Sequence, residues 1–469
     1  MSRDQAQEVA PAPAGRAEIG ATLSLAWPIV MTMIAVMVME TVDILMIGRL
    51  GEDALAAAAL ALNAWFLFLL FGMGVLNAVA SLTSQSVAVG DTRGVRRSAR
   101  QGLWIGLMMG LPFALILQHA EPVLVMLGQP AHIAAAAQSY LDYMGFALIT
   151  VFLLIPIRLT MASYGVTRPA MVIVWLGVPL NALFNWIFMF GGLGGPELGL
   201  PGAGIATLLV DAFLVVIVAI YISVAPLFKE LNLFVRFWRP DWRRFRKILF
   251  VGTPIGVASV MEHGLFAGAA LMMGWVGVTE LAAHQVAVQI VSVLFMIPFG
   301  LGQAATIRVG LAAGARDLAS VRLRGATTFG LAAAFMLCSA MAYWLFGDLL
   351  VGLFLSADDP DRAEIVALGA GFLAIAALFQ LFDGVQVAMG GALRGLNDTF
   401  VPMILALIGY WAVGLTGAYA MAFEFGFGAN GIWLGMLAGL AFTALAVTLR
   451  FHRDTRTDAR AFHRLMAAD

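Results

Sequence analysis

Four carboxylates stand inside long apolar stretches of this 469-residue chain: Glu40, Asp43, Glu262 and Asp383. An ionised side chain at the centre of a bilayer costs ~2.5–3.5 kcal/mol or more, so acidic groups kept there point to function. No Lys or Arg falls deep within any of those stretches, and the carboxylates therefore have no fixed cationic partner in the sequence. Such a group is neutralised by binding a proton or by binding a metal cation, which is the chemistry an ion-coupled carrier needs. Glu40 and Asp43 are three residues apart and share a helix face. If both point inward, their repulsion favours a proton on one of them; otherwise Glu40 faces a polar cavity or is hydrogen-bonded alone.

Neutral polar residues are spaced to assist. Asn181 and Asn185 are an i, i+4 pair, Thr207 adds a hydroxyl one span later, and Gln380 precedes Asp383 by one turn. Their oxygens suit a hard cation or a network around a carboxylate, although Asn and Thr also serve as glue between membrane helices. Asp142 and Asp211 are expected near the ends of spans 4 and 6, in interfacial roles. His263 points about 100° away from Glu262 and reads as packing. The single cysteine, Cys338, excludes an intrachain disulfide and reads as a small packing residue within a span.

The elements that must position these groups are membrane helices. The chain is 61% hydrophobic and 12% charged, with mean hydropathy +0.92, against roughly 45–50% and 25% in soluble domains. A ~30 Å hydrocarbon core takes about 20 apolar residues per helix. Twelve spans are predicted, at about 24–47, 55–88, 102–118, 138–157, 170–191, 203–228, 248–273, 282–307, 326–347, 365–390, 401–423 and 430–449. Little is left but short loops, which excludes a hidden soluble catalytic domain. Of the 27 Lys and Arg, 25 fall in the leader, in alternate gaps or in the tail, and only Arg49 and Arg362 lie in the other gaps. Basic loops resist translocation, so both termini are expected in the cytoplasm of a bacterial-type inner membrane. Net charge of −1 names no partner, and nucleic acid is disfavoured. Residues 1–20 lack a basic stretch joined to a short apolar one, so no cleavable signal peptide is expected.

The chain also repeats itself. Pro28-Ile29 matches Pro254-Ile255, 226 residues on, and the same offset relates Leu45-Met46 to Leu271-Met272, Gly48 to Gly274, Gly51 to Gly277 and Leu55-Ala56-Ala57 to Leu281-Ala282-Ala283. Gly165 and Gly395 occupy equivalent gaps, and Gly204-Ile205 and Gly431-Ile432 open spans 6 and 12. One offset held across a span, its exit turn and the next helix start argues for duplication. Six spans per half insert the same way up, which predicts an all-α polytopic protein of two six-helix lobes about a pseudo-twofold axis along the membrane normal. The expected organisation is a disordered cytoplasmic N-terminus (1–22), an N-lobe (23–228), a basic linker meeting anionic lipid headgroups (229–247), a C-lobe (248–449) and a cytoplasmic tail (450–469).

Several segments in order carry a family resemblance: Val42-Asp43-Ile44-Leu45-Met46-Ile47-Gly48; Gly252-Thr253-Pro254-Ile255 followed by Glu262; Ala282-Ala283-His284-Gln285; Pro298-Phe299-Gly300-Leu301; Arg308-Val309-Gly310; Gln380, Asp383 and Gly384; Leu393-Arg394-Gly395 with Asp398-Thr399. From about Leu23 to Arg450 the chain resembles the multidrug and toxic compound extrusion (MATE) family, in its NorM-type branch. The resemblance implies a twelve-helix, two-lobed cation–drug antiporter. It carries over Asp43 in the N-lobe and Glu262 and Asp383 in the C-lobe as cation-coupling positions, the last two as candidate Na+ ligands. Asn181, Asn185 and Thr207 match the polar cluster around the span 1 aspartate. The chain departs from the pattern where some branches place an aspartate at Asn185 and where many members have a tyrosine at Phe379. Glu40 matches no family residue.

Other classes fare worse. An ATP-driven pump needs a phosphate loop ending Gly-Lys-Ser/Thr, and the only lysines, Lys229 and Lys247, are followed by Glu230 and Ile248. The six histidines form no metalloprotease spacing and no Gly-x-Ser-x-Gly elbow appears, so an enzyme is not expected. No channel-like filter repeats. The alternative within the wider superfamily is a flippase of lipid-linked oligosaccharide or polysaccharide, which would be expected to carry deep basic groups for a pyrophosphate. The expectation is therefore a cofactor-free, monomeric exporter of lipophilic or cationic drugs in contact with membrane lipids, coupled to Na+ or H+.

Overall fold

Hydrocarbon offers backbone N–H and C=O groups no partner, so a chain embedded in lipid satisfies them within helices. The structure, a computed structural model, describes residues 15–235, 237–356 and 360–456. Among these, twelve helices are long and apolar enough to cross a membrane: α1 (Gly15–Leu50), α2 (Glu52–Ala88), α3 (Thr92–Leu117), α4 (Ala131–Ser163), α5 (Arg168–Phe190), α6 (Leu200–Val224), α7 (Trp242–Val276), α8 (Val278–Gly314), α9 (Leu318–Gly352), α10 (Arg362–Gly395), α11 (Phe400–Glu424) and α12 (Gly428–Asp454). The fold is all-helical with the twelve spans that the apolar runs predict. Their ends lie further out. The 37 residues of α2 and of α8 reach roughly 55 Å at 1.5 Å per residue, because flanking polar residues continue the helix beyond the ~30 Å core.

Three expected boundaries shift for identifiable reasons. Residues 15–22, expected to be disordered, open α1, where the buried Glu18 carboxylate accepts bonds from Arg308; residues 1–14 lie outside the described ones. The linker is docked: Arg100 donates to the carbonyls of Asn232, Leu233 and Val235, and the Trp104 indole donates to Phe237 O at 3.0 Å. From Trp242 that segment is already α7, and Arg236 lies outside the described residues. The tail begins as helix, since α12 runs to Asp454 with Arg450 bonded bidentately to Asp398 at 2.5 and 3.0 Å; residues 457–469 are not described. Cys338, expected to pack, is exposed on the apolar surface of α9.

Packing divides the described chain into two units whose borders fall inside helices. The N-terminal unit runs from Met31 to Gly256, and the C-terminal unit takes the residues up to Val30 together with those from Val257. In the N-terminal unit a core including Leu103, Leu154, Met161, Val210, Leu214 and Val218 joins α3, α4 and α6. In the C-terminal unit Phe372, Phe379, Tyr410 and Trp433 belong to one buried cluster.

The 226-residue offset is legible in backbone devices of both units. The turn before α3 places Gly90 at φ +68° and its counterpart Arg316 at +57° before α9. The next residues cap the helices: Asp91 accepts from Gly94 N at 2.9 Å, and Asp317 from Ser320 N at 3.0 Å. After α4 and α10 the left-handed residues are Gly165 and Asn397, so Asn397, rather than Gly395, is the conformational equivalent of Gly165. Gly395 lacks a side chain for another reason: a Cβ there would lie 2.9 Å from Thr306 O.

Close helix crossings repeat too. A Cβ on Gly74 would sit 2.4 Å from the Gly256 Cα, and one on its counterpart Gly300 would sit 2.4 Å from Val30 Cγ2. The first obstacle is backbone and the second a side chain that can turn. Gly74→Ala should therefore lower stability by about 1–3 kcal/mol and Gly300→Ala by clearly less, read as thermal unfolding midpoints in detergent. The reverse order would contradict this account of the crossings.

Candidate functional site

Each unit holds its own group of carboxylates, and only that of the N-terminal unit is bonded solely to neutral donors among the described residues. In the N-terminal unit the helical repeat places Asn181 and Asn185 on one face of α5, turned toward Asp43 on α1. Asp43 Oδ1 accepts from Asn181 Nδ2 at 3.0 Å and from Asn185 Nδ2, and Thr207 Oγ1 on α6 approaches Oδ2 at 3.4 Å. Asn185 Nδ2 also reaches Asn181 Oδ1 at 3.3 Å. Asp43 is 8% exposed, Asn181 1% and Asn185 fully buried. The carboxylate thus has three neutral donors and, among the described residues, no guanidinium or ammonium bonded to it. Asn185 Oδ1 is buried with no hydrogen-bond partner, the one such side-chain nitrogen or oxygen of this unit among the described residues.

Other acids surround Asp43. Glu40 lies within its electrostatic reach, as the spacing on α1 implied. Asp211 also lies within reach of both Glu40 and Asp43. The sequence places it near a helix end, but it lies in the middle of α6, one turn after Thr207 and on the same face. The buried Tyr140 on α4 adds a phenol within range of Asp43 and Glu40. Asp142, expected near a span end, lies about three turns into α4, where it takes a bond from Gln138 at 2.8 Å.

In the C-terminal unit Glu262 on α7 and Asp383 on α10 are electrostatic neighbours. The Tyr410 hydroxyl on α11 is hydrogen-bonded to Glu262. Tyr410 lies where α11 widens to a π-helix over Ile408–Leu415, a local irregularity often found at functional sites. Glycines let α11 and α12 approach there: a Cβ on Gly409 would meet the Thr443 hydroxyl at 2.0 Å. Asp383 Oδ1 is buried without a hydrogen-bond partner. Gln380 does not support it as expected, since both polar atoms of its side chain are buried and unpartnered. Phe379 is fully buried, with its ring edge-on to Phe266 and Trp433 at 5.9 and 5.7 Å. His263 is exposed.

One expectation needs correction. Arg394, the penultimate residue of α10, comes within electrostatic reach of Glu262, so this carboxylate does feel a fixed positive charge. Sequence position concealed it, because Arg394 sits at a helix end and α10 is long enough to bring that end near α7. Tyr140 and Tyr410 likewise have no place in the sequence reading, which puts Asp211 near a span end rather than beside Asp43. For Asp211 the i, i+4 spacing from Thr207 was available as a signal; for the tyrosines there was none.

Could these groups hold a cation? Among the described residues no three or more His, Cys, Asp or Glu side chains converge as metal ligands. An ion would therefore meet one or two carboxylates completed by neutral oxygens, a donor set suited to a hard monovalent cation or a proton. The unpartnered oxygens Asn185 Oδ1 and Asp383 Oδ1 fit that donor set, one in each unit.

Comparison with known proteins follows the repeat. A family model described as MatE matches residues 28–187 and 254–420, two segments whose starts are 226 residues apart. A probable multidrug resistance protein NorM of Mesorhizobium japonicum is 41% identical over 458 residues, spanning 97% of this chain and 98% of that protein. The NorM-named protein of Rhizobium meliloti is 40% identical over 436 residues, 93% of each. Among solved structures, a mutant of the Vibrio cholerae MATE transporter VcmN superposes with a TM-score of 0.86 at 18% identity, covering 96% of this chain and 99% of that one. The eukaryotic MATE transporter AtDTX14 gives 0.85 at 18% identity, covering 97% and 99%.

Two buried phenols make a controlled pair. Tyr410 has a hydrogen-bond partner in Glu262, whereas the Tyr343 hydroxyl on α9 is buried without one. Tyr410→Phe should lower stability by about 1 kcal/mol, since it strips a bond from a half-buried carboxylate, and Tyr343→Phe should leave it unchanged or raised. Thermal unfolding of the two variants checks the contrast, and equal effects would argue against the Tyr410–Glu262 bond.

Proposed function

The chain belongs to the MatE family, and we propose that it couples drug export to the inward movement of Na+ or H+ through Asp43, Glu262 and Asp383. It is a multidrug efflux transporter of the NorM type and not an enzyme. It is a multi-pass protein of the inner membrane; the Lys/Arg distribution supports cytoplasmic termini. The observation that carries the coupling reading is Asp43, a buried carboxylate bonded, among the described residues, only to the neutral donors Asn181, Asn185 and Thr207. A bare carboxylate there is unfavourable, and a mobile cation removes the cost. The same reading extends to Asp383, with its unpartnered oxygen, and to Glu262.

In this mechanism the outward-open carrier takes up a cation at one or both carboxylate groups, and the drug leaves. The carrier then opens inward, the cation departs, and the re-exposed negative charge favours a lipophilic cation from the cytoplasm. A single charge falling through ~150 mV supplies about 3.5 kcal/mol, near a 300-fold concentration ratio, provided one net charge moves per cycle. Glu40 and Asp211 add negative charge beside Asp43. That surplus of carboxylates favours cationic compounds over the pyrophosphate of a lipid-linked sugar, and Arg394 is matched by Glu262.

Liposomes containing the protein, loaded with ethidium and given separate Na+ and pH gradients, test the proposal. One of the two gradients should drive transport. Asp43→Asn, Glu262→Gln and Asp383→Asn should each leave a folded protein, and at least one should lower gradient-driven transport ten-fold or more. Full transport in all three variants would rule out coupling through these carboxylates.

A further inference from the structure

The repeat offset exposes a pair of contacts at equivalent positions with exchanged chemistry. Glu18 plus 226 is position 244, an arginine, and Arg324 minus 226 is position 98, a serine. Glu18 is in contact with Arg324, and Arg244 is in contact with Ser98. The segments that carry the first partners also exchange company. Residues up to Val30 begin the first sequence repeat yet pack in the C-terminal unit, and residues 242–256 begin the second repeat yet pack in the N-terminal unit. Each contact thus clamps the first turns of a repeat's leading helix, on the side that the Lys/Arg distribution assigns to the cytoplasm.

The two clamps differ in kind. Glu18 has no exposed surface; its Oε1 accepts from Arg308 Nε at 2.9 Å and Nη2 at 2.5 Å and lies 3.9 Å from Arg324 Nε. Thr22 Oγ1 stands 3.5 Å away, and Arg324 Nη1 ties the two arginines together through Arg308 O at 2.6 Å. At the equivalent place Arg244 donates to two hydroxyls, Ser98 Oγ at 2.9 Å and Ser86 Oγ at 3.1 Å. The charges facing Arg244 are Arg97, Arg243, Lys247, Asp91 and Asp241. Both acids are already engaged. Asp91 caps α3 through Gly94 N. Burial pushes the Asp241 carboxyl up, but the bonds from Arg97 and the Arg244 N–H outweigh it and hold it below its usual range.

These clamps should not open with equal ease. Separating a buried carboxylate from two guanidiniums strands bare charges in a low-dielectric site. A guanidinium leaving two hydroxyls exchanges them for water with little loss. We propose that Arg244, Ser98 and Ser86 form the clamp that releases during transport, freeing residues 242–256 from the N-terminal unit, while Glu18, Arg308 and Arg324 form its permanent counterpart. These are positioning residues, acting through α7 rather than on the drug. The proposal rests on the reading that the carrier opens alternately to the two sides.

The test gives the weak clamp a carboxylate. In the full chain with Cys338→Ser, spin labels at Val89→Cys and Arg246→Cys, both exposed positions of the N-terminal unit, report the distance across the clamp in liposomes with and without ethidium. The parent should show a short and a long distance whose proportions shift with ethidium. Ser98→Asp should deplete the long distance and slow ethidium transport at least ten-fold, whereas the uncharged Ser98→Asn keeps the rate within about three-fold. Ser86→Asp and Ser86→Asn repeat the comparison at the second hydroxyl, and Arg244→Gln should enrich the long distance. Equal effects of Asp and Asn at both positions, or unchanged distances with Asp, overturn the clamp. A parent that transports ethidium with one unchanging distance overturns the release of this clamp, whereas a parent in which no imposed gradient drives ethidium transport overturns the coupled-carrier reading on which it rests.

Discussion

Charge without a fixed countercharge, held where water is scarce, is the constraint on which the structure turns. The same solvent that makes an ionised carboxylate costly also denies the backbone any external hydrogen bond, so the chain is helical throughout the described spans. Helices then dictate how polar groups can meet, at intervals of three or four along one helix or by facing from neighbours. Asp43 uses both routes: two amides one turn apart on α5 and a hydroxyl from α6 converge on it. Three neutral donors orient the carboxylate and stabilise it only in part, leaving room for a mobile positive ion.

The two repeats retain backbone devices more faithfully than side chains. Left-handed residues at positions 90 and 316, aspartate caps at 91 and 317, and tight crossings at 74 and 300 coincide in register. Turn geometry and helix approach tolerate few substitutions, whereas the side chains around a site can diverge. The N-terminal unit surrounds its acids with amides and a hydroxyl. The C-terminal unit uses a phenol presented by a π-helical stretch and a nearby arginine. Both units bear the cost of buried acids, and they meet it with different partners.

Much of the site could be read in advance because membrane helices are long, regular and separated by charge. Type and spacing mark out Asp43, Asn181, Asn185 and Thr207, the family resemblance places the last three around Asp43, and in the structure they form one hydrogen-bonded group. Gln380 failed, since an i, i+3 spacing makes an encounter with Asp383 possible without orienting the amide. Arg394 and Tyr410 escaped because their roles depend on which helices neighbour α7 and on the widened turn of α11, neither of which is encoded locally. Residues 15–22 are helical rather than disordered for a related reason: Glu18 is polar in sequence but buried by arginines nearly 300 positions later.

The amino-acid sequence by itself determined the solvent, the number of spans, the duplication and the acidic residues that had to be accommodated, because hydropathy, basic-loop asymmetry and a constant offset are properties of the linear chain. Only the tertiary structure decided which partners those acids receive, where the helices truly begin, and that one clamp is an ion pair while its equivalent rests on hydroxyls. Periodicity assigns a residue to a face of its own helix; which neighbour meets that face is set by packing between distant segments.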